Sequence, residues 1–164
     1  MFNKSVQDAI NEQIRNEFYS AHLYLSMSAW FHTMNLSGSA HWMSIQAQEE
    51  IEHAMRFFKW VNDRGGRVVL QAIPKPPSDF SSTLDVFQQY LAHEKEVTEM
   101  ISKLYAVAAK EGDLATQIEL QWFITEQVEE EKLGTDIVEQ VKMIGENKTT
   151  LLILDRQLGA RAKA

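Results

Sequence analysis

Cysteine is absent from all 164 residues. That excludes disulfides, thiolate zinc sites and cysteine-ligated iron modules, and it favours a reducing compartment. Proline is nearly absent: the 3 that occur, Pro74, Pro76 and Pro77, crowd into one segment. The 7 glycines are few and stand mostly at punctuation points, Gly38, Gly65, Gly66, Gly112 and Gly145. No run of 18 or more apolar residues occurs, so no membrane span is expected. The opening MFNKSVQDAI lacks a charged-then-apolar signal pattern and already reads as helix, so a cytoplasmic location is expected. Basic residues are in deficit, 16 against 23 acidic, for a net charge of −7. That balance speaks against nucleic acid as a main partner and suits the attraction of cations, although solubility alone also accounts for it. What is abundant is apolar: 45% of the chain, enough for one buried core.

Between the glycine and proline marks, apolar residues recur at helical rather than alternating spacing. The periodicity predicts helices over about 5–34, 38–64, 82–110 and 114–144, and a short fifth over about 149–160, within a single domain spanning 1–164. The first and second helices are joined by a short turn, as are the third and fourth, so each pair is expected to form an antiparallel hairpin. The connection between the second and third is much longer and holds all the prolines. A helix of 27 residues is roughly 40 Å long, and an extended segment of 17 residues spans up to ~55 Å. The segment can therefore cross the full bundle, starting the third helix parallel to the second. The expected fold is all-α, a four-helix bundle with one long crossover. The last helix, with Leu151, Leu152, Ile153 and Leu158 around Asp155 and Arg156, is too short and apolar to stand alone. It is expected to bury itself against symmetry mates.

Each long helix carries an acid on its apolar stripe. At ~100° per residue, Glu17 shares a face with Ile10, Ile14, Ala21 and Tyr24. His53 shares one with Trp42, Phe57 and Trp60, and Glu50 lies one turn before it. Glu94 falls among Phe87, Leu91, Val97, Ile101 and Tyr105. Gln127 falls with Leu120, Phe123, Ile124 and Val138, and Glu130 follows three residues later. A lone carboxylate in an apolar interior costs several kcal/mol unless it is paired or metal-bound. No Lys or Arg falls on these stripes near the acids, which leaves a multivalent cation as counter-charge.

One inward carboxylate from each of two helices, with Glu-x-x-His from others, is the known rule by which helical bundles hold two iron or manganese ions. Hard cations prefer oxygen ligands, and a single imidazole suits iron(II) as well. Glu50-Ile51-Glu52-His53 supplies the motif once. Gln127-Val128-Glu129-Glu130 stands where a symmetric site would repeat it, so a second metal would be held more loosely by Glu94, Glu130 and a shared Glu50. Tyr24 is placed either to hydrogen-bond a ligand or reduce an intermediate, or simply to fill the core. Glu49, Glu126 and Glu129 sit beside these ligands and with Glu130 form a second acidic group. That group suits a third cation and equally suits a solvated charged face.

The stretches NEQIRNEFYSAHLYLSMSAWF, HWMSIQAQEEIEHAMRFFKWV, DRGGRV, IPKPPS and LQWFITEQVEEEK resemble the non-haem ferritins of bacteria and archaea, over essentially the whole chain. The resemblance implies a hollow cage of about twenty-four identical subunits. It also implies oxidation of iron(II) by dioxygen or peroxide and storage of the product as a ferric mineral. It assigns a first iron to Glu17, Glu50 and His53, and a second to Glu50, Glu94 and Glu130 with Gln127 nearby. A third goes to Glu49, Glu126, Glu129 and Glu130. Departures are informative. Haem-binding relatives carry methionine where Ile51 stands, and Glu-x-x-His where Gln127 and Glu130 stand, so no haem is expected. Animal ferritins line a three-fold channel with acids at the positions of Gln117 and Leu120, and their mineral-nucleating acids align with Glu49, Glu52 and Met55. Two other di-iron readings fit less well. A rubrerythrin-like oxidoreductase usually adds a cysteine-ligated iron module, and a DNA-protecting mini-ferritin places its short helix in the crossover that is proline-rich here.

Overall fold

The computed structural model describes residues 2–162, and all regular structure among them is helical. The helices are α1 (Lys4–Thr33), α2 (Ser37–Asp63), α3 (Thr83–Lys110), α4 (Leu114–Ile144) and α5 (Lys148–Gly159). Every boundary lies within one residue of the sequence expectation. The starts are set by side-chain caps: Asn3, Ser82, Asp113 and Asn147 each accept from backbone N–H groups of the turn they open. α2 opens at Leu36 without one, and its first amides find their acceptor elsewhere, as described below. Short turns at residues 34–36 and 111–113 close the hairpins, with Asn35 and Gly112 at positive φ.

The crossover, residues 64–82, runs along α1. Arg67 N–H donates to Gln7 and Val69 N–H to Asn11, and Ser26 Oγ donates to the Pro77 carbonyl at 2.5 Å. From Gln7 to Ser26 along α1 is roughly 28 Å at 1.5 Å per residue. The segment thus travels the bundle's length, and α3 starts parallel to α2, as the loop length predicts. Phe80 then seals its end against Trp30.

Two apolar plugs fill the bundle. One gathers Met27, Phe31, Met43, Phe87, Ile137 and their neighbours, the other Ile10, Phe57, Ile101, Leu120 and Phe123 among others. Phe57 stacks on Phe123 at 3.9 Å, and truncating either to Ala removes about 3–5 kcal/mol. Between the plugs lies a polar waist: Gln13, Glu17 and Ser20 of α1, Gln46, Glu50 and His53 of α2, His93 and Glu94 of α3, Gln127 and Glu130 of α4, all buried. The hairpins place these segments at one height. Gly134 brings α4 close to α3 here; a Cβ at Gly134 would lie 3.0 Å from the Tyr90 ring. Ile124, expected on the inward stripe with Gln127, is 40% exposed. The stripe runs through Leu120, Phe123, Gln127, Glu130 and Gly134, and Ile124 lies about 100° off Phe123.

α5 packs in part on its own bundle. Leu154 and Leu158 are buried within the same chain, in the first plug, while Leu152 and Ile153 face outward. Asp155 is the anchor: its carboxylate accepts from Gly38 N–H at 3.0 Å and from both the N–H and Oγ of Ser39 at 2.7 Å. It thereby caps α2 from a remote part of the chain. The approach is close enough that a Cβ at Gly38 would fall 1.7 Å from the Asp155 carbonyl oxygen.

Candidate metal centre

One turn from each long helix meets at the waist. Glu17, Glu50 and Glu94 are each 2% exposed or less, and His53, Gln127 and Glu130 are buried beside them. One oxygen each of Glu17 and Glu50 and a ring nitrogen of His53 lie within 4.8 Å of one another, the only such His/Asp/Glu trio among the described residues. Glu17 Oε1 accepts from Gln13 Nε2 at 2.8 Å. Glu17 Oε2 is buried with no hydrogen-bond donor. Two ionised carboxylates cannot satisfy each other, so only a shared proton or a cation can complete this pair. Burial, and then the charge of Glu50, pushes the Glu17 carboxyl well above its ordinary range. Burial, and then the charge of Glu94, does the same to Glu50. His53 Nδ1 is 3.4 Å from Glu50 Oε2, and the ring is held edge-on against Trp122 and Phe123.

The other half of the waist is furnished differently. Glu94 accepts from the Tyr24 hydroxyl and, at 3.1 Å, from Gln127 Nε2. Glu130 Oε2 accepts from the Tyr90 hydroxyl at 2.5 Å and from Gln46 Nε2 at 2.8 Å. Burial, with the charge of Glu130 added, pushes Glu94 up to about 8, against the pull of Tyr24 and Gln127. Burial and the neighbouring carboxylates push the Tyr24 and Tyr90 phenols well up, so both stay protonated donors. Tyr24, one of the expected site residues, is therefore bonded to an acid of the waist.

Glu49, Glu126, Glu129 and Glu130 line a groove of about 550 Å³ between α2 and α4, together with His53 and Trp122. Burial raises the carboxyls of both Glu49 and Glu126, while Glu129 is exposed. No Lys or Arg ion pair reaches Glu17, Glu50, Glu94 or Glu130 among the described residues, as the stripes predict. Glu49, which lies off those stripes, does carry one. Arg161, beyond the end of α5, pairs with Glu49 at 2.7 Å, and helical register is blind to a residue outside the bundle helices. Arg56 also lines the groove, paired with Glu119 at 2.5 Å and stacked 4.0 Å over Trp122.

The waist holds polar residues that the stripes did not flag: Gln13, Gln46, Tyr90, and His93 with Ser20, whose Oγ lies 2.8 Å from His93 Nε2. A signal for three of them was present. Gln13, Gln46 and Tyr90 each precede an inward acid by four residues, one helical turn.

The donor set suits a hard or borderline cation: clustered carboxylates, one imidazole, no sulfur, and a buried oxygen lacking a partner. Comparison with known proteins agrees. The family model described as Ferritin, ferritin-like domain, matches residues 7–144. A bacterial non-heme ferritin of Staphylococcus saprophyticus is 39% identical, covering 99% of this chain and 97% of its own. One from Bacteroides fragilis is 40% identical over 98% of this chain and all of its own. Among solved structures, an open pore ferritin from Archaeoglobus fulgidus superposes with a TM-score of 0.98 at 46% identity, covering 99% of this chain and 100% of that one.

Proposed function

The chain belongs to the ferritin family, and from that premise we propose that it is an iron-storage protein whose waist is a ferroxidase centre, in a single domain spanning 1–164. Iron(II) is the substrate. The first ion binds Glu17, Glu50 and His53; the second binds Glu50, Glu94 and Glu130, with Gln127 at hand. The observation that carries this reading is that Glu17, whose Oε2 is buried without a hydrogen-bond partner, lies with Glu50 and His53 in one group whose ligand atoms are within 4.8 Å of one another. Burial penalises the anion at this pair, so without metal the two carboxyls hold a proton, which an arriving cation displaces.

The residues divide the work. Glu50, central to the waist and electrostatically linked to Glu17, Glu94 and Glu130, is the bridge that holds two cations together against their repulsion. His53 adds a neutral donor, so the centre is not so negative that it retains iron(III). Each iron(II) gives up one electron. Two electrons and two protons convert dioxygen to hydrogen peroxide, or cleave hydrogen peroxide to two waters. Carboxyls held protonated by burial release their protons as metal binds, and these are available to the reduced oxygen. Tyr24 donates to Glu94 and so fixes that ligand's orientation. Glu49, Glu126, Glu129 and Glu130 form a third site on the path out of the centre.

The subunits form a closed cage of about twenty-four copies, in the cytoplasm, with no nucleic acid or membrane partner and no haem. Among the described residues no helix is long and apolar enough to cross a membrane. Ile51 offers no axial ligand for haem, and a stoichiometric Soret band in the purified protein would contradict that part. The central test is stopped-flow absorbance after two iron(II) per subunit are added in air, with the cage verified by size-exclusion chromatography. Glu50→Ala is expected to lose the rapid phase. Wild-type speed in that variant would place the chemistry elsewhere.

A further inference from the structure

Arg161 lies two residues past the end of α5, yet its side chain is embedded in the acidic groove. One guanidinium nitrogen donates to Glu49 Oε2 at 2.7 Å and another to Gln46 Oε1. The guanidinium carbon sits 4.8 Å over the Trp42 ring. The Arg161 carbonyl lies 2.9 Å from His41 Nε2, which fixes the backbone at this point. Only 20% of the Arg161 side chain and 13% of the Glu49 side chain are exposed.

Two consequences follow from these contacts. Arg161 supplies positive charge to an oxygen that a third cation would need. It also fixes the Gln46 amide: with Oε1 turned to the guanidinium, Nε2 must face Glu130 and Tyr90, and it donates to both. Glu130 belongs to both the second and the third proposed sites, so one side chain touches the groove directly and the waist through Gln46. Arg56, the other cation on the groove, is engaged with Glu119 and Trp122, so it leaves Glu49 to Arg161.

We propose that Arg161 is a tethered cation that competes with metal for the third site, so that metal arriving at Glu49 displaces the guanidinium and loosens Gln46 from Glu130. This rests on the third-site reading given above. The guanidinium can swing away by side-chain rotation alone, because the Arg161 backbone stays tied to the Leu158 carbonyl and to His41, and the Asp155 anchor keeps α5 in place.

The test uses assembled full-length protein under anaerobic conditions, titrated with zinc(II) by calorimetry beyond the two ions of the ferroxidase centre. Arg161→Gln is expected to tighten a third binding event by roughly tenfold, the scale on which close charge pairs couple. Arg161→Lys should fall between Gln and wild type. Glu129→Gln, which leaves the Arg161 pair untouched, should weaken the same event. Zinc is also expected to change Trp42 fluorescence as the guanidinium leaves its ring. That change should be absent in Trp42→Phe and in Arg161→Gln. A third event that weakens in Glu129→Gln but is unchanged or weaker in Arg161→Gln overturns the competition while leaving the site standing. No third event in either wild type or Arg161→Gln overturns both. Size-exclusion chromatography and circular dichroism confirm that each variant is assembled and folded.

Discussion

The two halves of the waist contain similar acids but treat them in opposite ways. On the side of Glu17, Glu50 and His53, one carboxylate oxygen is buried with no donor. On the side of Glu94 and Glu130, two tyrosines and two glutamines already donate to the carboxylates. Without a cation the first half depends on a proton held between Glu17 and Glu50; the second takes its donors from neighbouring tyrosines and glutamines. Metal entering the first half relieves a cost, whereas metal entering the second must displace or share existing hydrogen bonds. Affinity should therefore be unequal, tight at the first and weak at the second. The asymmetry follows from Gln127-Val128-Glu129-Glu130 standing where a second Glu-x-x-His would make the halves alike.

The strongest way to break the comparison is Glu50→Ala, since Glu50 is the proposed bridge between the halves. Changing residues that merely orient a ligand costs about 10–100-fold, so loss of the bridge should lower the initial oxidation rate by more than about 100-fold. A paired experiment separates the halves. Glu17→Gln should remove the tighter of two zinc(II) binding events, and Glu94→Gln only the weaker; calorimetric stoichiometry reports which is lost. Reversal of that order would show that the partnerless oxygen is not what sets affinity.

The pH dependence sharpens the contrast further. Glu94 is raised from an ordinary 4.5 to about 8. Its folded carboxyl holds a proton that the unfolded chain has already released. That contribution to metal-free stability is complete below about 4.5 and is lost as pH rises towards 8. The metal-free melting temperature should fall across this interval, and zinc(II) should raise it more at pH 8 than at pH 5. Proton release on binding, measured in buffers of different ionisation enthalpy, should be greater at pH 6 than at pH 9. The smallest effect expected is from Tyr90→Phe. It deletes one donor to Glu130, worth ~1 kcal/mol, and should tighten the second metal about fivefold while leaving the first unchanged.

Much of this was legible in the sequence for a physical reason: long helices stop where glycines and prolines interrupt the apolar period. The crossover direction follows from helix length against chain reach, while the caps that fix four of the starts, Asn3, Ser82, Asp113 and Asn147, show only in the structure. The inward acids stand out because a charge on an apolar stripe is costly. Gln46 and Tyr90 did not stand out, because a neutral polar residue on such a stripe costs little once it finds a partner, and that partner, Glu130, lies on another helix. Arg161 and Asp155 escaped for a related reason. Each acts on α2 from the far end of the chain, and helical periodicity carries no information about contacts between residues more than a hundred positions apart.

The Asp155 anchor also orders events during folding. It joins residues 117 positions apart, and contacts of such long sequence separation form late, after the intervening chain has been organised. A 12-residue helix has little helicity of its own in water. α5 therefore becomes a helix only on a hairpin pair that has already closed, with α2's first amides waiting to receive Asp155. Leu152 and Ile153, 52% and 55% exposed, are consequently presented on an ordered helix only by subunits whose bundle is complete.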